Sequence, residues 1–194
     1  MIAERTTLVI LVGGASRRMG RPKHLLPTSR GTLVDHIVAR LSPSFVETML
    51  VGKEPMPPPG GGRFVADVLP ERNPLVGIYS ALLALETPLC LVIGCDMPFV
   101  VPDLAQVLLA QAAGFDVVVP RVGGYYEPLL AVYRPSCIPA MEEAIAEGSF
   151  RITSTYSRLR VREVPDDAIR AIDPNLVSFT NLNTPKELAL LAHL

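Results

Sequence analysis

The chain has 194 residues, 49% of them hydrophobic, and a formal net charge of −1. That is enough apolar material for one well-buried core and too little for two, so residues 1–194 are read as a single domain. The near-zero charge lacks the basic excess of a general nucleic-acid or membrane-surface binder, and neither partner is expected.

The cysteines Cys90, Cys95 and Cys137 have no C-x-x-C spacing and lie in or near apolar runs, where a free thiol acts as a small hydrophobe. The N-terminus meets its first apolar run too soon for a charged leader and cleavage site. No apolar stretch approaches the about 18 residues of a membrane span. The expectation is a soluble cytoplasmic protein.

The first element, Leu8 to Val12, is an unbroken run of branched aliphatics, the pattern of a parallel strand buried on both faces. It breaks at Gly13-Gly14 and empties into Ser16, Arg17, Arg18, Arg21 and Lys23. Glycines let the backbone approach a ligand, freed N–H groups reach phosphate oxygens, Arg binds them with a bidentate fork, and Lys adds a mobile charge. The stretch suits a polyanion. It contains neither G-x-x-x-x-G-K-[ST] nor G-x-G-x-x-G, so it is neither a Walker-type loop nor a dinucleotide fingerprint.

A helix follows, capped by Thr32 with Asp35, carrying Leu33, Val34, Ile37, Val38 and Leu41 on one face and ending before Pro43. Phe45 to Val51 reads as a strand, Pro55 to Gly62 as a loop, and Phe64-Val65 as a short strand leading to Asp67. Leu75 to Leu85 is helical, and Leu89 to Ile93 is an apolar strand ending at Gly94-Cys95-Asp96-Met97-Pro98. Asp103 opens a helix that Gly114 stops, and Val117 to Val119 is a further buried strand. Leu129 to Tyr133, after the Gly123-Gly124 turn, reads as a return strand. Ser136 to Glu147 is helical with Gly148 as its stop, and Val161 to Val164 is a short strand. Val177 to Phe179 leads to Asn181-Leu182-Asn183-Thr184-Pro185, with Thr184, Pro185 and Glu187 as a helix start.

Strands alternating with helices predict a Rossmann-like three-layer α/β sandwich, its sheet mainly parallel with at least one antiparallel strand. Ligands of such sheets bind outside the carboxyl ends of the strands, so the glycine turn and Asp96 should open on one edge. Asp96, placed where a buried strand breaks, is a poor site for a carboxylate without a cation. Mg²⁺, which takes one or two carboxylates and completes its shell with water and phosphate, is its natural partner; a plain turn aspartate is the alternative.

Leu11-Val12-Gly13-Gly14-Ala15-Ser16-Arg17-Arg18-Met19-Gly20, followed by Lys23 and Leu25-Leu26, resembles the L-x-G-G-x-S-x-R-M-G-x-x-K signature of the nucleotidyltransferases. Among these the chain is most similar to the molybdenum cofactor guanylyltransferases, with the nucleotide-diphospho-sugar transferase type of fold. The resemblance runs on through Gly94-Cys95-Asp96-Met97-Pro98 to Asn181-Leu182-Asn183-Thr184-Pro185. It implies transfer of GMP from GTP to molybdenum-bound molybdopterin with Mg²⁺ and release of pyrophosphate. It also implies a place among other cofactor-synthesis proteins or molybdoenzyme chaperones.

By position, the resemblance assigns nucleotide contacts to Leu11, Val12, Gly13, Gly14, Ser16, Arg18, Lys23, Asp67, Leu75, Gly77 and Asp96. Lys23, Arg18 and Asp96 would be catalytic, Asp96 would hold the metal, and Asn181 and Asn183 would face the second substrate. Relatives using CTP tend to carry L-A-A-G, so Gly14 favours the larger base. Two departures stand out. Val12 replaces an Ala, adding bulk beside the expected base pocket, and Asn73-Pro74-Leu75-Val76-Gly77 replaces G-P-L-A-G. Glu127-Pro128 receives no role. Arg151, Arg158 and Arg160 either meet an anionic acceptor or form a solvated face. His24, His36 and His193 show no ligand spacing.

Overall fold

The computed structural model describes residues 6–13, 23–28 and 31–182, with Lys23 given by its backbone alone. Strand β1 (Thr6–Leu11) is buried along its whole length because its alternating side chains enter two different layers. Leu8, Ile10 and Val12 pack into one core with helices α1 (Leu33–Leu41) and α3 (Pro102–Ala110). Val9 and Leu11 pack into the other with α2 (Pro74–Leu83) and α4 (Ile138–Ala146). The apolar run thus reports a strand covered on both sides, in the expected three-layer arrangement.

The remaining strands are β4 (Glu47–Gly52), β5 (Arg63–Ala66), β6 (Leu89–Gly94), β7 (Val117–Val122), β8 (Tyr125–Tyr126), β9 (Leu130–Tyr133) and β10 (Val161–Pro165). The short pair β2 (Pro27–Thr28) and β3 (Gly31–Thr32) forms a separate ribbon. The main sheet runs β10-β7-β9-β6-β1-β4-β5, with β8 beside β7. Strand β9 is antiparallel to both neighbours, β6 and β7, and every other contact along that path is parallel. The expected return strand is therefore an insertion in the middle of the sheet rather than an edge.

Local chemistry explains the boundaries. Thr32 and Asp35 form a complete capping box on α1. The segment expected to be helical from Ser136 begins as a 3-10 turn (Pro135–Cys137), because Pro139 lacks the N–H that would bond the Pro135 carbonyl. The helix opened at Asp103 ends at Ala110, short of Gly114, whose positive φ of 82° serves the turn beyond it. Short elements carry no signal in the sequence. The expected Gly123-Gly124 turn, both residues at positive φ, closes a two-residue hairpin and so adds β8. Helix α5 (Asp166–Arg170), with buried Ile169, packs behind β10 and is too short for a periodic signal. The three cysteines are free and buried, and burial pushes the Cys137 thiol up to about 12. No helix among the described residues is long and apolar enough to cross a membrane.

Candidate functional site

Register brings the chemistry to one edge. Leu11 stands opposite Val51 on β4 and Gly94 on β6, and Gly52 stands opposite Ala66 on β5. The ladder then runs past the strand ends. Val12 N–H donates to the Val51 carbonyl (2.8 Å), Asp67 N–H to the Gly52 carbonyl (3.0 Å), and Cys95 N–H to the Leu11 carbonyl (3.1 Å). With strands about 4.8 Å apart, Gly13, Lys53, Asp67 and Asp96 lie along a single crevice. Gly13 and Asp96 stand at the same edge; the rest of the glycine turn, with Gly14, Ser16 and Arg18, lies outside the described residues.

Glycines permit the close approaches here. A Cβ on Gly52 would sit 3.0 Å from Val12 Cγ2 and 3.2 Å from the Gly13 nitrogen. The bulk of Val12 therefore does not enlarge the wall of a base pocket. Strand alternation turns it into the core, 6% exposed, against the bare face of Gly52. A Cβ on Gly77 would stand 3.1 Å from Leu11 Cδ2, so the first turn of α2 settles directly over the end of β1. Asn73, in place of the family's glycine, caps α2 by accepting from Leu75 N–H at 2.9 Å. Leu75 itself is fully buried and its N–H is engaged by that cap, so it supports the pocket from behind and offers no side chain to a ligand.

Asp67 lies between these pieces. Its Oδ1 is buried without a hydrogen-bond partner among the described residues, 3.7 Å from where a Gly77 Cβ would be, and its Oδ2 is 3.7 Å from the equivalent position on Gly13. Burial raises its pKa above the usual carboxylate range, while the positive charges of Lys53 and Arg72 pull it partly back. An orphaned acceptor of this kind wants an N–H donor from a ligand. Lys53, half-buried directly after β4, is a cation of the site that no motif announced. Reading it would have required knowing that β4 lies beside β1. His24, next to Lys23, is held below its usual pKa by burial, against the opposing effects of a hydrogen bond to the Val12 backbone and the charge of Glu54. That contact ties the lysine turn to the end of β1.

Asp96 follows β6 with its Oδ1 2.7 Å from where a Cβ on Gly94 would stand, so Gly94 leaves room for the carboxylate as it is placed, and a larger residue would make it shift. Leu182 N–H donates to the Asp96 carbonyl at 2.9 Å. The Asn181-Leu182 segment is thereby fastened to the metal-candidate loop from the far end of the chain; Asn183 lies outside the described residues. Among the described residues no three His, Cys, Asp or Glu converge. Arg158 pairs with Glu143 and Glu147, and Arg160 with Asp116, so these two arginines serve structure.

An α/β sheet with Gly13 and Asp96 just past the carboxyl ends of adjacent parallel strands is an arrangement shared with nucleotidyltransferases of this fold. Residues 8–161 match the family model described as the MobA-like NTP transferase domain, and the chain belongs to that family. It is 39% identical over 185 residues to a probable molybdenum cofactor guanylyltransferase of Pelotomaculum thermopropionicum, covering 95% of this chain and 90% of the relative. A protein of the same description from Natranaerobius thermophilus is 31% identical, with 96% and 95% covered. Among solved structures, molybdopterin-guanine dinucleotide biosynthesis protein A of Archaeoglobus fulgidus superposes with a TM-score of 0.82 at 30% identity, covering 96% and 97%. The 2-C-methyl-D-erythritol 4-phosphate cytidylyltransferase of Thermus thermophilus has a TM-score of 0.69 at 18% identity, covering 95% and 96%, a likeness of fold alone.

Proposed function

We propose that the protein transfers GMP from GTP to the terminal phosphate of molybdenum-bound molybdopterin and releases pyrophosphate. The observation that carries this reading is the apposition of Gly13 and Asp96 on adjacent strands, in a chain similar from end to end to proteins described as guanylyltransferases. A phosphate oxygen of the acceptor attacks the α-phosphorus of GTP, and the bond from that phosphorus to the bridging oxygen of the leaving pyrophosphate breaks. No covalent enzyme intermediate is needed, and positioning and charge supply most of the catalysis.

The glycine turn cradles the triphosphate with backbone N–H groups, while Lys23 and Arg18 neutralise the charge that grows on the leaving group. Asp67 accepts from the donor edge of the base, beneath the first turn of α2. Asp96 would hold Mg²⁺, which when bound supplies Lewis acidity at the reacting phosphate. Asn181 and Asn183 border the acceptor. The test is pyrophosphate release on mixing the protein with GTP, Mg²⁺ and molybdenum-bound molybdopterin, with CTP in a parallel arm and calorimetry of both nucleotides. Release with GTP and its tighter binding are expected. Preference for CTP would overturn the choice of base, and no release with either would leave a nucleotide-binding protein without transfer.

A further inference from the structure

The acceptor half of the crevice contains a carboxyl group that the reaction above does not use. Glu127 sits in the turn between β8 and β9. Because β9 runs antiparallel to β6, its first residues stand at the edge where the parallel strands end. The turn is held firmly. Glu127 N–H donates to the Pro120 carbonyl (3.0 Å), Leu130 N–H to the Glu127 carbonyl (3.1 Å), and Gly94 N–H to the Leu129 carbonyl (3.0 Å). The hydroxyl of fully buried Tyr133 donates to the Pro128 carbonyl (2.9 Å).

In contrast to this well-tied backbone, the Glu127 carboxyl is half-buried and makes no hydrogen bond or ion pair among the described residues. Burial raises its pKa, and no neighbouring charge lowers it. The neighbouring Glu163 is treated differently: it has Arg121 and Tyr126. A rigidly presented, partly desolvated carboxyl without a partner is costly unless a ligand brings donors to it.

The geometry points to Glu127 as the residue that recognises the pterin ring of the acceptor. This rests on the reading of molybdopterin as second substrate. A pterin presents a ring N–H beside an exocyclic amino group, two parallel donors that a carboxylate can accept together, as it accepts a guanidinium. Strand order supports the assignment. Counting from β5, the edge passes Asp67, Gly13 and Asp96 before reaching β9, so Glu127 lies beyond Asp96 from Asp67 and Gly13.

The test is steady-state pyrophosphate release by the full chain, varying GTP and molybdenum-bound molybdopterin separately, for wild type, Glu127→Gln, Glu127→Ala and Glu127→Asp. Glutamine keeps the shape but turns one acceptor into a donor. The acceptor KM should rise about 10-fold or more in Glu127→Gln and Glu127→Ala, and the aspartate variant should fall between them and wild type. KM for GTP should stay within about twofold, and the Tm of Glu127→Gln should not fall, because the carboxyl supports no fold contact. An unchanged acceptor KM, both KM values rising together with a lower Tm, or a change confined to the Mg²⁺ dependence would each overturn the assignment. Wild-type protein that releases no pyrophosphate with molybdopterin would overturn the acceptor reading itself, which is visible before any variant is made.

Discussion

The two halves of the crevice are built by different means. On the side of β1, β4 and β5, close approach is achieved by backbone: Gly13, Gly52 and Gly77 remove side chains where chain segments meet, and the polar groups left there, Lys53 and Asp67, face the cleft. On the side of β7 to β10 the chain is fastened by charged side chains. Glu163 takes Arg121 and Tyr126, Asp166 takes Arg170, and at the opposite edge of the sheet, where β7 begins, Asp116 accepts from the Arg160 side chain, the Arg160 N–H and Ser136. Under the proposed function the first half would bind phosphate, which suits bare N–H groups and a stiff turn, and the second would admit the larger acceptor and can be braced from outside its pocket.

The largest test of that contrast lies at its border. Asp96→Ala is expected to lower the rate of pyrophosphate release by about a thousandfold, with a Tm close to wild type. The anchoring bond from Leu182 reaches the Asp96 carbonyl, which alanine keeps. Substantial Mg²⁺-dependent turnover in that variant would place the metal on other residues.

Next come two substitutions of similar size, one in each half. Gly52→Ala forces a Cβ against Val12 and the Gly13 nitrogen, and should cost about 1–3 kcal/mol in denaturant unfolding together with weaker GTP binding. Adding Val12→Ala should return part of the stability, and a strictly additive double variant would show that the two positions do not press on each other. Asp116→Ala removes four hydrogen bonds to a carboxylate and should cost about 2 kcal/mol, with GTP affinity unchanged. Arg160 and Ser136 hold the Asp116 carboxyl well below the usual carboxylate range. Its contribution is therefore complete above the unfolded value of about 4 and is lost only as pH falls toward the depressed folded value. A wild-type advantage over Asp116→Ala that disappeared already between pH 7 and 5 would contradict this.

The smallest effect is expected at Asp67. Burial raises its pKa, so the protonated form stabilises the fold at low pH and that stability is lost as pH rises through the folded value. Asp67→Asn should melt about 1–2 °C higher than wild type near pH 8 and equally near pH 3, while binding GTP more weakly. A variant less stable at pH 8 would mean that Lys53 and Arg72 outweigh burial.

These contrasts also explain which parts were legible. The glycine signature, the capping box of α1 and the apolar runs of β1, β6 and β7 are local patterns, and the structure bears out the strands and the cap. Lys53, Glu127 and the brace at Asp116 carry no such pattern, because their partners lie on strands distant in the chain. Val12 was misjudged for the same reason: its neighbour Gly52 belongs to another strand, and only that pairing turns an apparent obstruction into core packing.

By itself the sequence determined the layered α/β class, the buried parallel strands and the polyanion-suited turn, since each follows from spacing along a few residues. The order β10-β7-β9-β6-β1-β4-β5 was decided only by the tertiary structure, and with it the placing of β9 beside β6. Which strands pair depends on contacts between residues far apart in the chain, and no local periodicity records them. Local runs and caps could therefore be read in advance, whereas Lys53, Glu127 and the Val12–Gly52 contact, whose neighbours lie across the sheet, could not.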